Sequence, residues 1–257
     1  MNLSDVVDEY VAHKRALGMG FTTEIRILSA FCRSTSNASM DTITTEQVQR
    51  YLVGDTPVSS YWQRKHTALA GLYRFALSRG YAHSSPLPSR RPQLPPPLVP
   101  HIYSKAELKS LLDATPGACG PKVPLEAYVF RTLILLLYGA CLRIGEAIRL
   151  TMTDVDLDQD VLCIRETKFY KTRLVPLGQD LSMALKQYMQ RRNIAHCQEF
   201  SAPFFCFRDG RTLSQSAVRS AFRRLCAQAG IQRTDGGRYQ PRLHDLRHTG
   251  AVHRLVA

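Results

Sequence analysis

Three short stretches of this sequence carry side chains suited to chemistry on an oxyanion. In Leu142-Arg143-Ile144-Gly145-Glu146-Ala147-Ile148-Arg149-Leu150, an arginine and a glutamate stand three residues apart, one turn of a helix. Such a pair is commonly a weak surface ion pair. Here Arg143 follows a continuous apolar run, and a partly buried guanidinium requires a carboxylate or phosphate partner. In Thr167-Lys168-Phe169-Tyr170-Lys171-Thr172-Arg173, two lysines and an arginine crowd one short segment. That is ordinarily a solubility device, yet a lysine on a hairpin tip can also deliver a proton to a leaving oxygen. In Arg242-Leu243-His244-Asp245-Leu246-Arg247-His248-Thr249-Gly250-Ala251, His244 and Arg247 share a helical face with His248 beside them. A structural His–Arg pair fits this pattern as well as an acid–base site does. A zinc-protease helix would need a glutamate beside the first histidine; Asp245-Leu246 follows instead, and no metal site is expected.

The elements that must hold these residues can be read from periodicity. Ser104-Lys105-Ala106-Glu107 has the form of a capping box opening a helix through Leu112. A strongly apolar helix follows over about Leu125–Tyr138, then a third over Arg143–Leu150 and a carboxylate-rich turn at Asp154–Asp158. Val161–Ile164 and Arg173–Leu177 are β-type runs flanking Thr167–Lys171, which predicts a hairpin. Helices are predicted over Asp180–Arg192, Ser214–Ala229 and from His244 onward, with a short strand at Phe204–Phe207. Nearer the N-terminus, Leu3, Val6, Val7, Tyr10, Val11 and Leu17 recur at helical spacing behind Ser4 as cap, and Ile25, Leu28 and Phe31 repeat the pattern. Thr44-Thr45-Glu46-Gln47 precedes a further helix. The segment Tyr61–Leu77 sets Arg64, Lys65, His66 and Arg74 beside an apolar face, giving that helix a basic side.

Between these halves lies Ser84 to Pro100, with seven of the 14 prolines and the pair Arg90-Arg91. Proline at that density favours extended backbone. The expected organisation is a helical domain with a basic side over residues 1–83, a basic Pro-rich linker over 84–100, and a mixed α and β domain over 101–257.

The chain has 257 residues, 44% of them hydrophobic and 21% charged, which suits a buried core and excludes disordered or fibrous classes. Its 34 Lys and Arg against 21 Asp and Glu give +13, and the residues up to Pro97 and those after it are both positive, at +4 and +9. A strongly basic surface recruits polyanions, nucleic acid foremost, with an anionic lipid surface or solubility charge as the other readings. The longest apolar run is too short to cross a membrane, which needs about 20 residues. Met1–Tyr10 carries Asp5, Asp8 and Glu9, unlike a secretory leader, so a cytoplasmic protein is expected. Seven scattered cysteines without a C-x-x-C pair predict buried, reduced thiols rather than disulfides or a zinc cage.

Taken in order, the Arg-Ile-Gly-Glu helix, the Lys-x-x-Lys-x-Arg-Leu-Val-Pro-Leu hairpin and the His-Asp-Leu-Arg-His-Thr helix resemble the tyrosine recombinase (phage integrase) family, in its compact Xer-type form. The resemblance covers the whole chain. It implies an all-α SAM-like core-binding domain joined to a mixed α+β catalytic domain, mainly α with a small β-sheet. It also implies a site-specific recombinase that binds double-stranded DNA and exchanges strands through a 3′-phosphotyrosyl intermediate without a cofactor. On that match Arg143 and Arg247 hold the nonbridging phosphate oxygens and Lys168 protonates the 5′-oxygen. His244 accepts a proton or holds the phosphate, and Glu146 orients the basic residues. Arg64, Lys65, Arg90, Arg91, Lys171 and Arg173 are expected to contact DNA.

One departure stands out. The family's nucleophilic tyrosine follows the His-x-x-Arg helix, whereas the last tyrosine of this sequence is Tyr239. With no residue in the nucleophile position, the expectation is a chain that binds DNA and does not cleave it alone. Whether it counts as an enzyme turns on that point, and the synaptic tetramer of complete members is not expected of it. The alternative is a catalytically silent DNA-binding regulator, or a relic of a mobile element.

Overall fold

The computed structural model describes residues 1–54, 58–119, 124–165, 172–195, 199–237 and 239–256, the side chain of residue 194 excepted. The chain divides into two units, Met1–Pro97 and Leu98–Ala257.

The first unit is built from α1 (Leu3–Ala16), α2 (Thr22–Ser34), α3 (Thr45–Val53) and α4 (Ser60–Ser78). Its core joins Val6 and Tyr10 of α1, Leu28 and Phe31 of α2, Leu52 of α3, and Leu69, Leu72 and Tyr73 of α4. These are the positions that recur at helical spacing, so burial of one stripe per helix explains the bundle. Thr44 and Gln47 close a reciprocal capping box on α3. Ser4 is not the cap of α1: Asn2 precedes the helix, and the Ser4 backbone N–H donates to Asn37 Oδ1 at 2.8 Å. Leu17 lies past the last turn of α1 and is exposed. From the Pro-rich stretch, Leu87 and Leu94 pack against this core.

The second unit contains α5 (Lys105–Asp113), α6 (Thr115–Ala118), α7 (Ala127–Gly139), α8 (Ile144–Ala147), β1 (Val155–Asp156), β2 (Val161–Ile164), β3 (Arg173–Pro176), α9 (Gln179–Ala195), α10 (Gln215–Gln228) and α11 (Asp245–Val256). The capping box of Ser104 and Glu107 opens α5. Helix α7 is apolar on nearly all sides because the core surrounds it. The strands form one antiparallel sheet in the order β1-β2-β3, with Val155 opposite Leu162 and Ile164 opposite Arg173.

Three elements differ from expectation, the first being Val155–Asp156, expected in a turn, which pairs with β2 as β1. Phe204–Phe207 is not a strand. The Phe204 N–H donates to the Leu150 carbonyl, and its own carbonyl accepts from Tyr188 Oη at 2.8 Å and Arg192 Nε at 3.1 Å. Side chains thus take the carbonyl that a ladder would use at Phe204, and pairing is confined to isolated bridges, Pro203 with Thr151 and Cys206 with Thr212. The Arg143–Leu150 helix shrinks to the single turn α8, because Arg143 is its extended N-cap rather than its first residue.

No helix among the described residues is long and apolar enough to cross a membrane. The six described cysteines form no disulfide; Cys206 and Cys226 are buried and the other four only half-buried.

Candidate functional site

Chain reversal after α7 places the first arginine. Cys141 adopts a positive φ of 50°, Leu142 plugs into the core, and Arg143 caps α8 in extended conformation. Its backbone N–H donates to Glu146 Oε2 at 3.0 Å and its Nη1 to Oε1 at 2.8 Å. The expected burial falls on the other partner: the Arg143 side chain is 50% exposed and that of Glu146 only 4%. The carboxylate is the desolvated group, and the guanidinium reaches outward from it.

Two more arginines converge on Glu146. Arg173, at the start of β3, donates from Nη1 to Oε1 at 3.2 Å and from Nη2 to Oε2 at 2.8 Å. Arg247, in the first turn of α11, brings Nη1 to 3.9 Å from Oε2, within Coulombic reach but beyond hydrogen-bond distance. Burial alone would push the Glu146 carboxyl up; the bonds from Arg173 and Arg143 overcome it and hold the group at about 2. Three cations on one anion leave the cluster two charges positive. Burial, the charge of Arg143 and that of Arg173 also lower the basicity of Arg247. Its Nη1 is shielded from solvent and has no hydrogen-bond partner among the described residues. A buried charged donor left in that condition costs about 1–3 kcal/mol or more, which an anionic acceptor would return.

His244 precedes α11 and lines the same cleft as Arg143 and Glu146. Burial, then the neighbouring His248, Arg247 and Arg242, lower its pKa below the usual imidazole value. It is therefore neutral at pH 7 and able to accept a proton. The His248 ring stands edge-on to it, with centroids 4.9 Å apart. The loop carrying His244 is anchored by the fully buried Asp245, whose carboxylate accepts from Arg242 Nη2 at 2.7 Å. Tyr103 reinforces it, its N–H donating to Thr249 Oγ1 at 3.0 Å and its hydroxyl to the Arg242 carbonyl at 3.1 Å. Asp245 and Thr249, within the third motif, thus serve to fix the histidine and arginine in place.

Helix α11 itself is set by Gly250, where any Cβ would run into the Tyr138 carbonyl at the end of α7. The two helices meet there backbone to backbone.

The structure therefore brings Arg143, Glu146, Arg173, His244 and Arg247 together. Lys168 and Lys171 lie outside the described residues. Arg173, expected to contact DNA, is committed to Glu146. On α4 of the first unit, Arg64 is exposed, whereas Lys65 Nζ donates to the Tyr51 carbonyl at 2.7 Å and lies 4.6 Å from the Tyr51 ring centroid. His66 is buried rather than part of a basic face. Arg90 and Arg91 are exposed. Sequence reasoning missed Arg149 and Gln215, which line the cleft beside Arg143 and His244.

Residues 103–255 match the phage integrase family. A putative integrase/recombinase of Sinorhizobium fredii is 34% identical over 98% of this chain and 80% of its own length. The tyrosine recombinase XerA of Thermococcus kodakarensis is 31% identical over 69% of this chain and 58% of its own. Among solved structures, a lambda integrase tetramer bound to a Holliday junction superposes with a TM-score of 0.76 at 17% identity, covering 98% of this chain and 72% of the integrase. With the family's match spanning more than half of the sequence and a relative this similar along nearly all of it, the chain belongs to the phage integrase family of tyrosine recombinases.

Proposed function

We propose that this protein binds duplex DNA and holds one phosphodiester for strand exchange. The observation that carries the reading is the convergence of Arg143, Arg173 and Arg247 on the single buried carboxylate of Glu146, with donors left over. Arg143 and Arg247 grip the nonbridging phosphate oxygens. Their stabilisation grows as charge builds on the pentacoordinate transition state. Glu146 neither attacks nor protonates: held at about 2, it stays ionised and fixes where the guanidiniums point. Arg173 joins it in that positioning. His244, neutral at pH 7, takes the proton of the attacking hydroxyl, and Lys168, which falls between β2 and β3 in the sequence, gives one to the departing 5′-oxygen. The family's tyrosine nucleophile is not assigned to a residue of this sequence.

The helical first unit makes DNA contacts of its own, through exposed Arg64 on α4 and Arg90 and Arg91 of the Pro-rich stretch. The site of action is the cytoplasm, where DNA and reduced thiols coexist. The family membership, the relatives and the basic balance in both parts of the chain support this reading.

The test is duplex binding followed across a salt series. Log affinity should fall linearly with log salt, by roughly 0.9 per phosphate contacted. Arg247→Ala should flatten that slope, and a response indifferent to salt would overturn the proposal.

A further inference from the structure

Arg149 is not needed to explain the arginine cluster, yet it lines the cleft. Among the described residues, Arg143 and Arg173 are each oriented by a bond to Glu146, Arg165 by one to Asp154 and Arg242 by one to Asp245. The Arg149 guanidinium is exposed and has no such partner there. It lies above Gly145, its Nη1 3.7 Å from where a Cβ at that residue would sit.

A second donor occupies the same spot. Gln215, the first residue of α10, brings Nε2 within 3.0 Å of that position. Its amide oxygen already accepts from Arg219 Nη2 at 2.9 Å, so the NH2 end is the one turned to the cleft. The missing side chain of Gly145 is what gives both donors room. The cleft holds about 300 Å³, with Arg143, Glu146 and His244 on its other walls. Its one carboxylate is already saturated by arginines. An anion entering there meets unspent donors and a net positive field.

We propose that Arg149 and Gln215 form a second anion subsite, which takes the phosphodiester next to the one gripped by Arg143 and Arg247. The subsite rests on the reading that this protein binds DNA. It fixes the register of the strand by holding two consecutive phosphates in fixed relation to His244. Arg149 provides the charge and Gln215 a directional hydrogen bond, so the two make separable contributions.

Anisotropy of a short labelled duplex, titrated with the full chain across a salt series, tests this. Arg149→Ala should flatten the slope of log affinity against log salt by about one unit, because one phosphate contact is lost. Gln215→Leu should keep the slope and weaken binding by about tenfold, the loss of one hydrogen bond to a charged group. Gly145→Ala should weaken binding in the same way, since its methyl would displace the Gln215 amide. Equal melting temperatures would show that each variant is folded. An unchanged slope in Arg149→Ala, with a flattened slope in Arg143→Ala, overturns the subsite alone. A flat salt response of the unaltered protein overturns the DNA reading and the subsite with it.

Discussion

Helix α4 of the first unit and the arginine cluster of the second are both rich in positive charge, but they use it differently. On α4, Lys65 is absorbed by the Tyr51 carbonyl and by tyrosine rings, and its basicity is lowered by burial. His66 is drawn into the core, where burial and the nearby charge of Arg91 lower its pKa. In the second unit, three guanidiniums are held by a desolvated carboxylate and keep positive charge in reserve. A site is thus distinguished less by how many basic residues it has than by a buried counter-charge that orients them without cancelling them.

Removing that counter-charge should have the largest effect. Glu146→Ala removes the buried acceptor of four charge-assisted hydrogen bonds and leaves three like charges side by side, and a loss of about 3 kcal/mol is expected in urea unfolding. If Lys65→Ala cost as much, the contrast between the two regions would collapse. Next comes the backbone contact that places Arg247: Gly250→Val should cost about 1–3 kcal/mol through overpacking, read as a lower melting temperature.

Acid sharpens the comparison further. The Glu146 carboxyl lies at about 2 in the folded protein against an ordinary 4.5. Its contribution to stability is complete above 4.5 and disappears as pH falls from there toward 2. Urea midpoints measured through that window should fall more steeply in the unaltered protein than in Glu146→Gln. The smallest effects belong to α4. Arg64→Ala should flatten the salt slope of duplex binding by about one unit, whereas Lys65→Ala should change it less, its ammonium being already engaged.

Much of this was legible beforehand because local rules dictate it. The capping boxes at Thr44 and Ser104 need only four consecutive residues, and α7 needs only its apolar run. Spacing suggested the Arg143–Glu146 pair and the nearness of His244 to Arg247, and the order of the three motifs decided for them; His244, though, precedes α11 rather than lying on it. Position by position, harder features depend on partners distant in sequence. Nothing near Arg173 indicates that its guanidinium will find Glu146, 27 residues earlier. Nothing near Phe204 indicates that Tyr188 and Arg192 will take its carbonyl and prevent a strand. Helix length failed at Arg143 because that residue is an extended cap, its N–H and guanidinium both bonded to Glu146, rather than the first residue of the helix.

The meeting of Arg143, Arg173 and Arg247 on one carboxylate also has a consequence in time. These residues come from the middle of the chain, from the strand after the hairpin and from α11, so the cluster closes only through contacts of high sequence separation, which form slowly and late. During synthesis a ribosome-bound chain exposes its helical first unit well before α11 emerges. A nascent molecule can thus present basic surface to DNA while the pocket that would grip a phosphodiester is still unassembled. The positive charge that the cluster holds in reserve is thereby withheld until the second unit has folded.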